Sequence, residues 1–298
     1  MNKLTRTKSD TVFDIVNYAL IIIIMVMIIY PFLNTLAISF NDPIDSIRGG
    51  IHILPRQFTT YNYKVILSNS QIYHAFMISV LRTVIAVVLQ LFATAMLAYT
   101  VSRKEYVLRK FITVVFLMTM YFNGGIIPTY FVIKKMGLIN NFWVYIIPGL
   151  VSAFNLIVLK SFMERISDSF VESARIDGMN EFGIFIKIMI PLCKPALATI
   201  ALFIGVFQWN SWFDTFIFAS GEPKLSTLQF ELMKILSSTM DSGSSAAAMG
   251  GQSASSSTVT PIAVRGAITI ITTVPVLCLY PFLQKYFISG LTLGGVKG

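Results

Sequence analysis

Long apolar stretches separated by short polar segments run through the chain and predict an all-α, polytopic membrane protein. The N-terminal tail carries Lys3, Arg6 and Lys8, and an uncharged run follows from Ile15 to Asn41. This run exceeds the ~7–15 apolar residues of a signal peptide, so we expect a retained first helix. A span needs about 20 apolar residues. Six spans are predicted in a single domain over residues 1–298, at about 13–36, 75–100, 109–133, 142–159, 195–217 and 262–284.

One polar connection, at about residues 163–194, has the pattern of a folded unit. Ser169 followed by Glu172 predicts a capping box, in which the two side chains bond backbone N–H groups reciprocally. Gly178 can adopt the left-handed conformation that ends a helix, and Asn180 is a good cap for a second helix. We therefore expect a helix, a glycine turn and another helix.

The second of these helices has a predicted apolar face. Its residues follow the spacing i, i+3, i+4 and i+7, and they are Phe182, Phe185, Ile186 and Met189. Pro191 lacks an N–H group and is expected to end the helix.

This segment resembles the cytoplasmic loop of inner-membrane permease subunits of binding-protein-dependent ABC importers. That loop carries Glu-Ala-Ala, then Gly after three residues, then Ile-x-Leu-Pro after nine more. Here the same spacing joins Glu172-Ser-Ala, Gly178 and Ile188-Met-Ile-Pro191, with Ser in place of Ala and Ile in place of Leu. The resemblance implies a type I importer permease fold. It also implies contact with an ATPase through Glu172, Ser173, Ala174, Asp177, Gly178 and Pro191.

The resemblance covers most of the chain and is greatest to maltose-permease-like subunits. Residues 122–130, 137–143 and 286–298 are similar to the branch that imports oligosaccharides released from complex or acidic polysaccharides. This implies a pore shared with a second permease subunit, two ATP-binding subunits, an extracytoplasmic solute-binding protein and an oligosaccharide substrate. It also implies a secondary ATPase contact for the tail Gly290 to Gly298.

The resemblance implies a bacterial cell-membrane protein, and the composition and charge agree with a chain embedded in the lipid bilayer. Hydrophobic residues make up 55% of the chain and charged residues only 12%, against roughly 25% charged in soluble domains. The net charge of +9 is better explained by cytoplasmic loops than by nucleic-acid binding. Across the predicted spans, Lys and Arg favour one side by roughly two to one. This bias predicts that both termini and the Glu172 segment are cytoplasmic.

The sequence predicts no catalytic centre and no bound cofactor. It has no G-x-x-x-x-G-K-[ST] loop, so ATP and Mg²⁺ are expected on a partner subunit. Cys193 and Cys278 support neither a disulfide framework nor a metal site, and His52 and His74 lack ligand spacing. The spans show no paired carboxylates or nucleophile–base set, which argues against a membrane-embedded enzyme.

Polar and aromatic residues near the end of the fifth span are candidates for the substrate pathway. Sugars bind through aromatic faces, amides and carboxylates, and polar groups at membrane depth tend to be functional. An interfacial aromatic belt is the alternative, which we favour for Trp212. The candidates are Asn155, Gln208, Trp209, Asn210 and Asp214. Arg82 would suit acidic sugars, but snorkelling or an interhelical ion pair is the preferred interpretation.

Two alternatives to sugar import remain open. The chain could be an ABC permease for an amino acid, peptide or polyol, or an ion-coupled secondary transporter. The spans are nearly free of acidic residues, which counts against ion coupling. Co-purification separates them, since a permease should retain an ATPase and a second permease.

Overall fold

The computed structural model describes residues 8–237 and 260–292, and side chains from Val12 to Cys278 within these ranges, Pro261 excepted. The described secondary structure is helical apart from one isolated antiparallel bridge between Asn41 and Phe58. The predicted linker, Ser237 to Thr258, falls almost wholly outside the described residues, and so does most of the tail from Gly290.

Among the described residues, the first compact unit comprises residues 8–69, 234–237 and 260–273. It begins with α1, Lys8–Ser39, which is longer than the predicted 13–36. In the most apolar part of this helix, no residue is buried against the rest of the described chain. Two short helices follow, α2 at Pro43–Ile47 and α3 at Tyr61–Ser68.

The segment around α2 is held by polar side chains. The Asp42 carboxylate caps α2 by accepting from the Ile44 and Asp45 N–H groups. The Asp45 carboxylate accepts from Asn41 Nδ2 and Arg56 Nε, both at 3.0 Å. The Asn41 hydrogen bond is the main cause that lowers the pKa of Asp45, and Arg56 adds to it. The segment between the first two predicted spans is therefore an ordered structure at α2.

The second compact unit comprises, of the described residues, 70–233 and 274–292. It contains α4, Ser70–Ser102, which replaces the predicted 75–100 and includes His74. The later helices are α5 (Arg109–Tyr121), α6 (Ile126–Lys135), α7 (Ala153–Met163), α8 (Ser169–Ile176), α9 (Glu181–Ile184), α10 (Ile190–Leu192), α11 (Lys194–Asn210), α12 (Phe213–Phe218) and α13 (228–237). Two of these helices contribute to both units, namely α13 and the last helix, α14 (Pro261–Thr292).

The core of the second unit lies where α4 packs against α7 and α11. On α4 the buried residues include Ala86, Ala95 and Ala98, whose small side chains allow close approach of neighbouring helices. Larger side chains fill the space opposite them. They include Leu156, Leu159 and Met163 of α7 and Ile200 and Ile204 of α11.

Three of the predicted spans each contain more than one helical segment. The span 109–133 is two helices, α5 and α6, separated at residues 122–125, where Gly125 has φ +84° and ψ 176°. The span 142–159 is a 3₁₀ turn at Phe142–Tyr145 followed by α7, with Pro148 and Gly149 between them. The span 195–217 is divided between α11 and α12. Hydrophobicity cannot distinguish continuous from interrupted apolar segments.

Two described helical segments, Val12–Ser39 and Ser70–Ser102, are long and apolar enough to cross a membrane. A third is counted when Glu181–Leu192 and Lys194–Asn210, which meet at 84°, are treated as one span. By length and composition, the part of the chain that the structure describes therefore shows two or three spans.

The break at Gly125 generates a stability prediction. Its backbone lies in a region that is essentially restricted to glycine and costs other residues about 1–3 kcal/mol. We expect Gly125→Ala to lower the thermal unfolding temperature of the purified protein. Gly124→Ala is the matched control, because its added Cβ would meet only Pro128 Cβ at an ordinary 3.9 Å. Equal unfolding temperatures for the two variants would contradict this account.

Candidate functional site

The predicted glycine turn is present and closes α8 with two backbone hydrogen bonds. The Met179 N–H donates to the Ala174 carbonyl at 2.9 Å, and the Gly178 N–H donates to the Arg175 carbonyl at 3.0 Å. This pair of bonds defines a Schellman motif, which requires a left-handed residue after the helix. Gly178 supplies it with φ +78°. The predicted left-handed turn at Gly178 is therefore confirmed.

The predicted cap of the second helix is also present. Asn180 Oδ1 accepts from the Gly183 N–H at 2.7 Å and so begins α9. A Cβ at Gly183 would lie only 2.8 Å from that same oxygen, so the cap needs a glycine there. We call the unit from α8 through the Gly178 turn to α9, Ser169–Ile184, the elbow.

The predicted capping box is wrong. Ser169 is the first residue of α8 rather than its cap, and its Oγ pairs with Ser167 Oγ at 2.8 Å. The capping position belongs to Asp168, whose side chain makes no capping bond. Its carboxylate instead accepts from Lys104 Nζ at 2.8 Å and lies 3.7 Å from an Arg103 guanidinium nitrogen. The Asp168 carboxylate therefore pairs with the basic turn after α4 instead of capping α8.

α8 has a buried side and an exposed side. Val171 and Ala174 are buried in the core, whereas Glu172 and Ser173 are exposed. Ile176 is 86% exposed, the C-cap Asp177 is exposed, and neighbouring Phe170 is half exposed. Among the candidate coupling residues, Ala174 thus anchors the helix. Glu172, Ser173 and Asp177 lie on its open surface.

The predicted apolar face of the second helix is partly wrong. Phe185 and Met189 are buried, but Phe182 is 59% exposed and Ile186 is exposed, while Ile184 takes a buried position. A π-helical turn at Phe185–Met189, in which the Ile190 N–H donates to the Phe185 carbonyl, accounts for the position of Ile186 but not for that of Phe182, which precedes it. This wider turn changes which side chains share a face.

The helical run that contains Pro191 extends over Glu181–Leu192, so it ends one residue after Pro191, close to the predicted place. The chain then bends at Cys193 before α11 begins. Pro195 lies in the first turn of α11, where proline is tolerated because the N–H at that position has no helical partner.

Ionic and hydrogen bonds tie the two arms of the elbow to each other and to the end of α4. Arg175 on α8 donates to Glu181 of α9 at 2.9 Å, bridging the Gly178 turn, and to Glu105 at 3.1 Å. The Tyr99 hydroxyl of α4 donates to the other Glu181 oxygen at 2.6 Å. The Tyr99 hydrogen bond, followed by Arg175, lowers the pKa of Glu181. The elbow is therefore fixed against α4.

A second cluster surrounds Arg82, whose side chain is almost fully buried. Its Nη2 donates to Gln208 Oε1 at 2.7 Å and to the Asp214 carboxylate, and its Nη1 donates to the Ser211 carbonyl at 3.4 Å. The guanidinium carbon lies 4.2 Å from the centre of the Tyr145 ring. We call these five residues the Arg82 cluster. Of the interpretations of Arg82, the interhelical ion pair is the one observed.

The candidate pathway residues fall into three environments. Gln208 and Asp214 belong to the Arg82 cluster, and Gln208 Nε2 also donates to the Tyr145 carbonyl at 3.1 Å. Trp209 is largely buried and makes an edge contact with Phe76, and Asn155 is buried in α7. Asn210 is exposed at the end of α11, and its side chain bonds the Val206 carbonyl and Gln229.

Sequence reasoning missed several residues that complete the two clusters. They are Tyr99, Glu105, Tyr145, Arg175 and Glu181. Only the Arg175–Glu181 pair could have been predicted from the sequence, because these opposite charges flank the predicted glycine turn. Pairing with Tyr99 or Glu105 depends on chain packing that spacing does not reveal.

Comparisons with known proteins agree on one family. Residues 96–292 match the family model of the binding-protein-dependent transport system inner membrane component. The chain is 35% identical over 97% of its length to the polygalacturonan/rhamnogalacturonan transport system permease protein YtcP of Bacillus subtilis, covering 99% of that protein. It is 28% identical to the arabinooligosaccharides transport system permease protein AraQ of Halalkalibacterium halodurans, covering 91% of each chain.

Solved structures show the same similarity. A chain in a bacterial ABC transporter involved in the import of the acidic polysaccharide alginate matches with a TM-score of 0.85 and 29% identity, over 95% of this chain and 99% of that chain. A chain in a bacterial alginate ABC transporter, in complex with alginate pentasaccharide-bound periplasmic protein, matches with a TM-score of 0.56 and 12% identity. The match covers 94% of this chain and 96% of that chain. The second match is a likeness of fold alone.

The Arg82 cluster generates a prediction about charge compensation. Asp214→Leu should destabilise the protein by about 3–5 kcal/mol, because it removes the carboxylate from a buried guanidinium. The double variant Arg82→Met with Asp214→Leu should recover much of that loss, since no unpaired charge remains. Thermal unfolding of both variants tests this. A double variant no more stable than Asp214→Leu would show that charge pairing is not what holds the cluster.

The elbow generates a pH prediction. The pKa of Glu181 is lowered on folding. Ionised Glu181 therefore stabilises the elbow fully above its unfolded pKa of about 4.3, and this stabilisation is lost as the pH falls through its folded pKa. Tyr99→Phe removes the main cause, so the elbow should open at a higher pH. Hydrogen exchange of peptides covering residues 169–184, corrected for intrinsic rates, measures this. Tyr106→Phe is the control and should leave the opening pH unchanged, whereas equal profiles for all three proteins would refute the role of Tyr99.

Proposed function

The chain belongs to the family of binding-protein-dependent transport system inner membrane components, and we propose that it is one of two permease subunits that import oligosaccharides. The predicted family and the all-α importer permease fold are confirmed. The protein is a multi-pass inner-membrane permease, and its role is transport rather than catalysis. The proposal concerns its substrate, its partners, its six spans and its orientation.

The observation that carries the proposal is the exposed surface of the elbow. Ile176 and Phe182 present large apolar side chains beside the exposed Glu172 and Asp177, although all four residues lie in a polar connection between apolar segments. Lipid does not cover such a surface outside the bilayer, and isolated apolar groups gain when another protein buries them. An ATP-binding subunit is the partner we assign to it.

The internal ties of the elbow suit it for transmitting movement. The Gly178 turn, the Arg175–Glu181 bridge and the Tyr99 hydrogen bond hold α8 and α9 in one arrangement. α7 leads into the elbow, and the chain leaves it through α10 into α11. When two ATP-binding subunits close, displacement of the elbow would therefore reach these pore-forming helices. The energy comes from the partners, because the chain itself has no P-loop.

The proposed topology has six spans with both termini in the cytoplasm. Two spans are the continuous helices α1 and α4, and a third includes α14. The other three are interrupted: α5 with α6, the Phe142 turn with α7, and α11 with α12. Irregular backbone at membrane depth is tolerated where protein surrounds it. The excess of Lys and Arg on the elbow side supports the orientation.

The substrate class rests on the relatives together with the pathway residues. The matched permeases are named for polygalacturonan/rhamnogalacturonan and for arabinooligosaccharides. In this chain Asn210 is the exposed polar candidate, while Gln208 and Asp214 hold Arg82. We therefore assign direct contact with sugar to Asn210, and a supporting role to Gln208 and Asp214. Trp209 and Asn155 remain candidates for the pathway wall. An extracytoplasmic solute-binding protein would deliver the oligosaccharide.

The coupling role of Gly178 is tested by two matched substitutions. Gly178→Val and Gly137→Val place a β-branched residue at φ +78° and +69°, respectively, and each added Cβ meets open space. Both variants thus carry similar backbone strain. We expect Gly178→Val to reduce oligosaccharide uptake by tenfold or more and to uncouple ATP hydrolysis from it, while Gly137→Val transports nearly normally.

The measurement is uptake and ATPase activity of the assembled transporter in proteoliposomes, with membrane insertion checked for each variant. Candidate oligosaccharides are those bound by the cognate solute-binding protein in a ligand screen. Wild-type uptake by Gly178→Val would remove the elbow from the mechanism. Uptake of an amino acid, peptide or polyol instead would overturn the substrate class and leave the coupling role intact.

A further inference from the structure

A pocket of about 330 Å³ lies between the beginning of α5 and the end of α7. Both helices reach it with basic residues. Its lining residues are Arg109, Lys110, Thr113, Val114, Lys160 and Glu164. None of these residues belongs to the elbow or to the Arg82 cluster.

The pocket carries more positive than negative charge. Lys160 Nζ pairs with Glu164 at 2.8 Å, one turn apart on α7 and its C-cap, which neutralises one of the three cations. Arg109 and Lys110 have no carboxylate within ion-pair distance among the described residues. Two positive charges are thus uncompensated in a concave site. A phosphate group, which accepts hydrogen bonds through several oxygens, matches such a site.

The wall beyond the pocket is apolar and uncovered. No residue of α5 is buried within the chain, and Phe111, Val114 and Met118 are all about half exposed or more. α5 therefore begins with two basic residues and continues as an apolar surface. A molecule that matches both parts has an anionic head and a hydrocarbon tail.

We propose that this pocket binds the phosphate headgroup of an anionic phospholipid in the cytoplasmic leaflet, with an acyl chain along α5. Basic pockets between membrane helices on the cytoplasmic side suit such headgroups. The leaflet depends on the orientation given under the proposed function, but the lipid chemistry does not. An acidic patch of an ATP-binding subunit is the competing occupant, and the apolar wall that continues from the pocket favours lipid.

The test compares two charge-removing variants of the full transporter complex. The double variant Arg109→Gln with Lys110→Gln removes the two unpaired positive charges from the pocket lining. Lys134→Gln with Lys135→Gln removes the same charge from the last turn of α6 and is the control. Native mass spectrometry would measure bound phosphatidylglycerol against phosphatidylcholine, with inorganic phosphate as a competitor.

We expect the wild type and the control to prefer phosphatidylglycerol. Each basic residue near a charged lipid surface contributes about fivefold, so the Arg109/Lys110 variant should lose roughly 25-fold of the preference. An equal preference for phosphatidylglycerol in all three proteins would overturn the proposal. Full displacement of the bound lipid by inorganic phosphate would also overturn it, and so would loss of the ATP-binding subunits from the Arg109/Lys110 variant. Uptake by the wild type is measured in parallel, because failed uptake with intact lipid preference would count only against the proposed function.

Discussion

The buried charge of Arg82 sets the condition that the helix bundle around it must meet. A guanidinium removed from water is tolerated only when it is neutralised and its N–H groups are bonded. Here the partners are Gln208, Asp214 and the Ser211 carbonyl, which lie on both sides of the break between α11 and α12. An interrupted helix leaves backbone carbonyls unpaired, and at membrane depth water does not satisfy them. The same side chain that needs compensation therefore supplies donors to the interrupted helix, so the charge and the break stabilise each other.

α4 connects this cluster to the elbow. Arg82 and Tyr99 lie on one uninterrupted helix, about 25 Å apart at ~1.5 Å per residue. Tyr99 binds Glu181 of the elbow, and Arg82 binds the end of α11. α11 is also the helix into which the elbow leads through the bend at Cys193. Two routes, one along α4 and one along α11, thus join the elbow to the Arg82 cluster.

Local sequence signals predicted the parts of the elbow that depend on local backbone chemistry. Gly178 and Asn180 took their predicted roles, because a left-handed turn and a helix cap are decided within a few residues. The predicted capping box is absent because α8 begins after Asp168, and the Asp168 carboxylate pairs with Arg103 and Lys104, which are more than 60 residues earlier in the sequence. The predicted apolar face failed at Ile186 because one π-helical turn changes the period on which such faces are counted. Likewise, Asp214 was predicted for the substrate and Arg82 for an ion pair, and nothing in the sequence joined them.

Two groups of exposed apolar side chains differ in their surroundings. Those of α1 form a continuous helical surface long enough to cross a bilayer, which lipid can cover. Ile176 and Phe182 belong instead to short helices among charged residues, close to the Arg175–Glu181 bridge. Lipid tails do not reach such a mixed surface without also burying those charges, which is costly. A folded protein, with apolar and polar groups at matching positions, covers both. The composition of the elbow surface therefore supports the protein partner proposed for it, without reference to similarity between sequences.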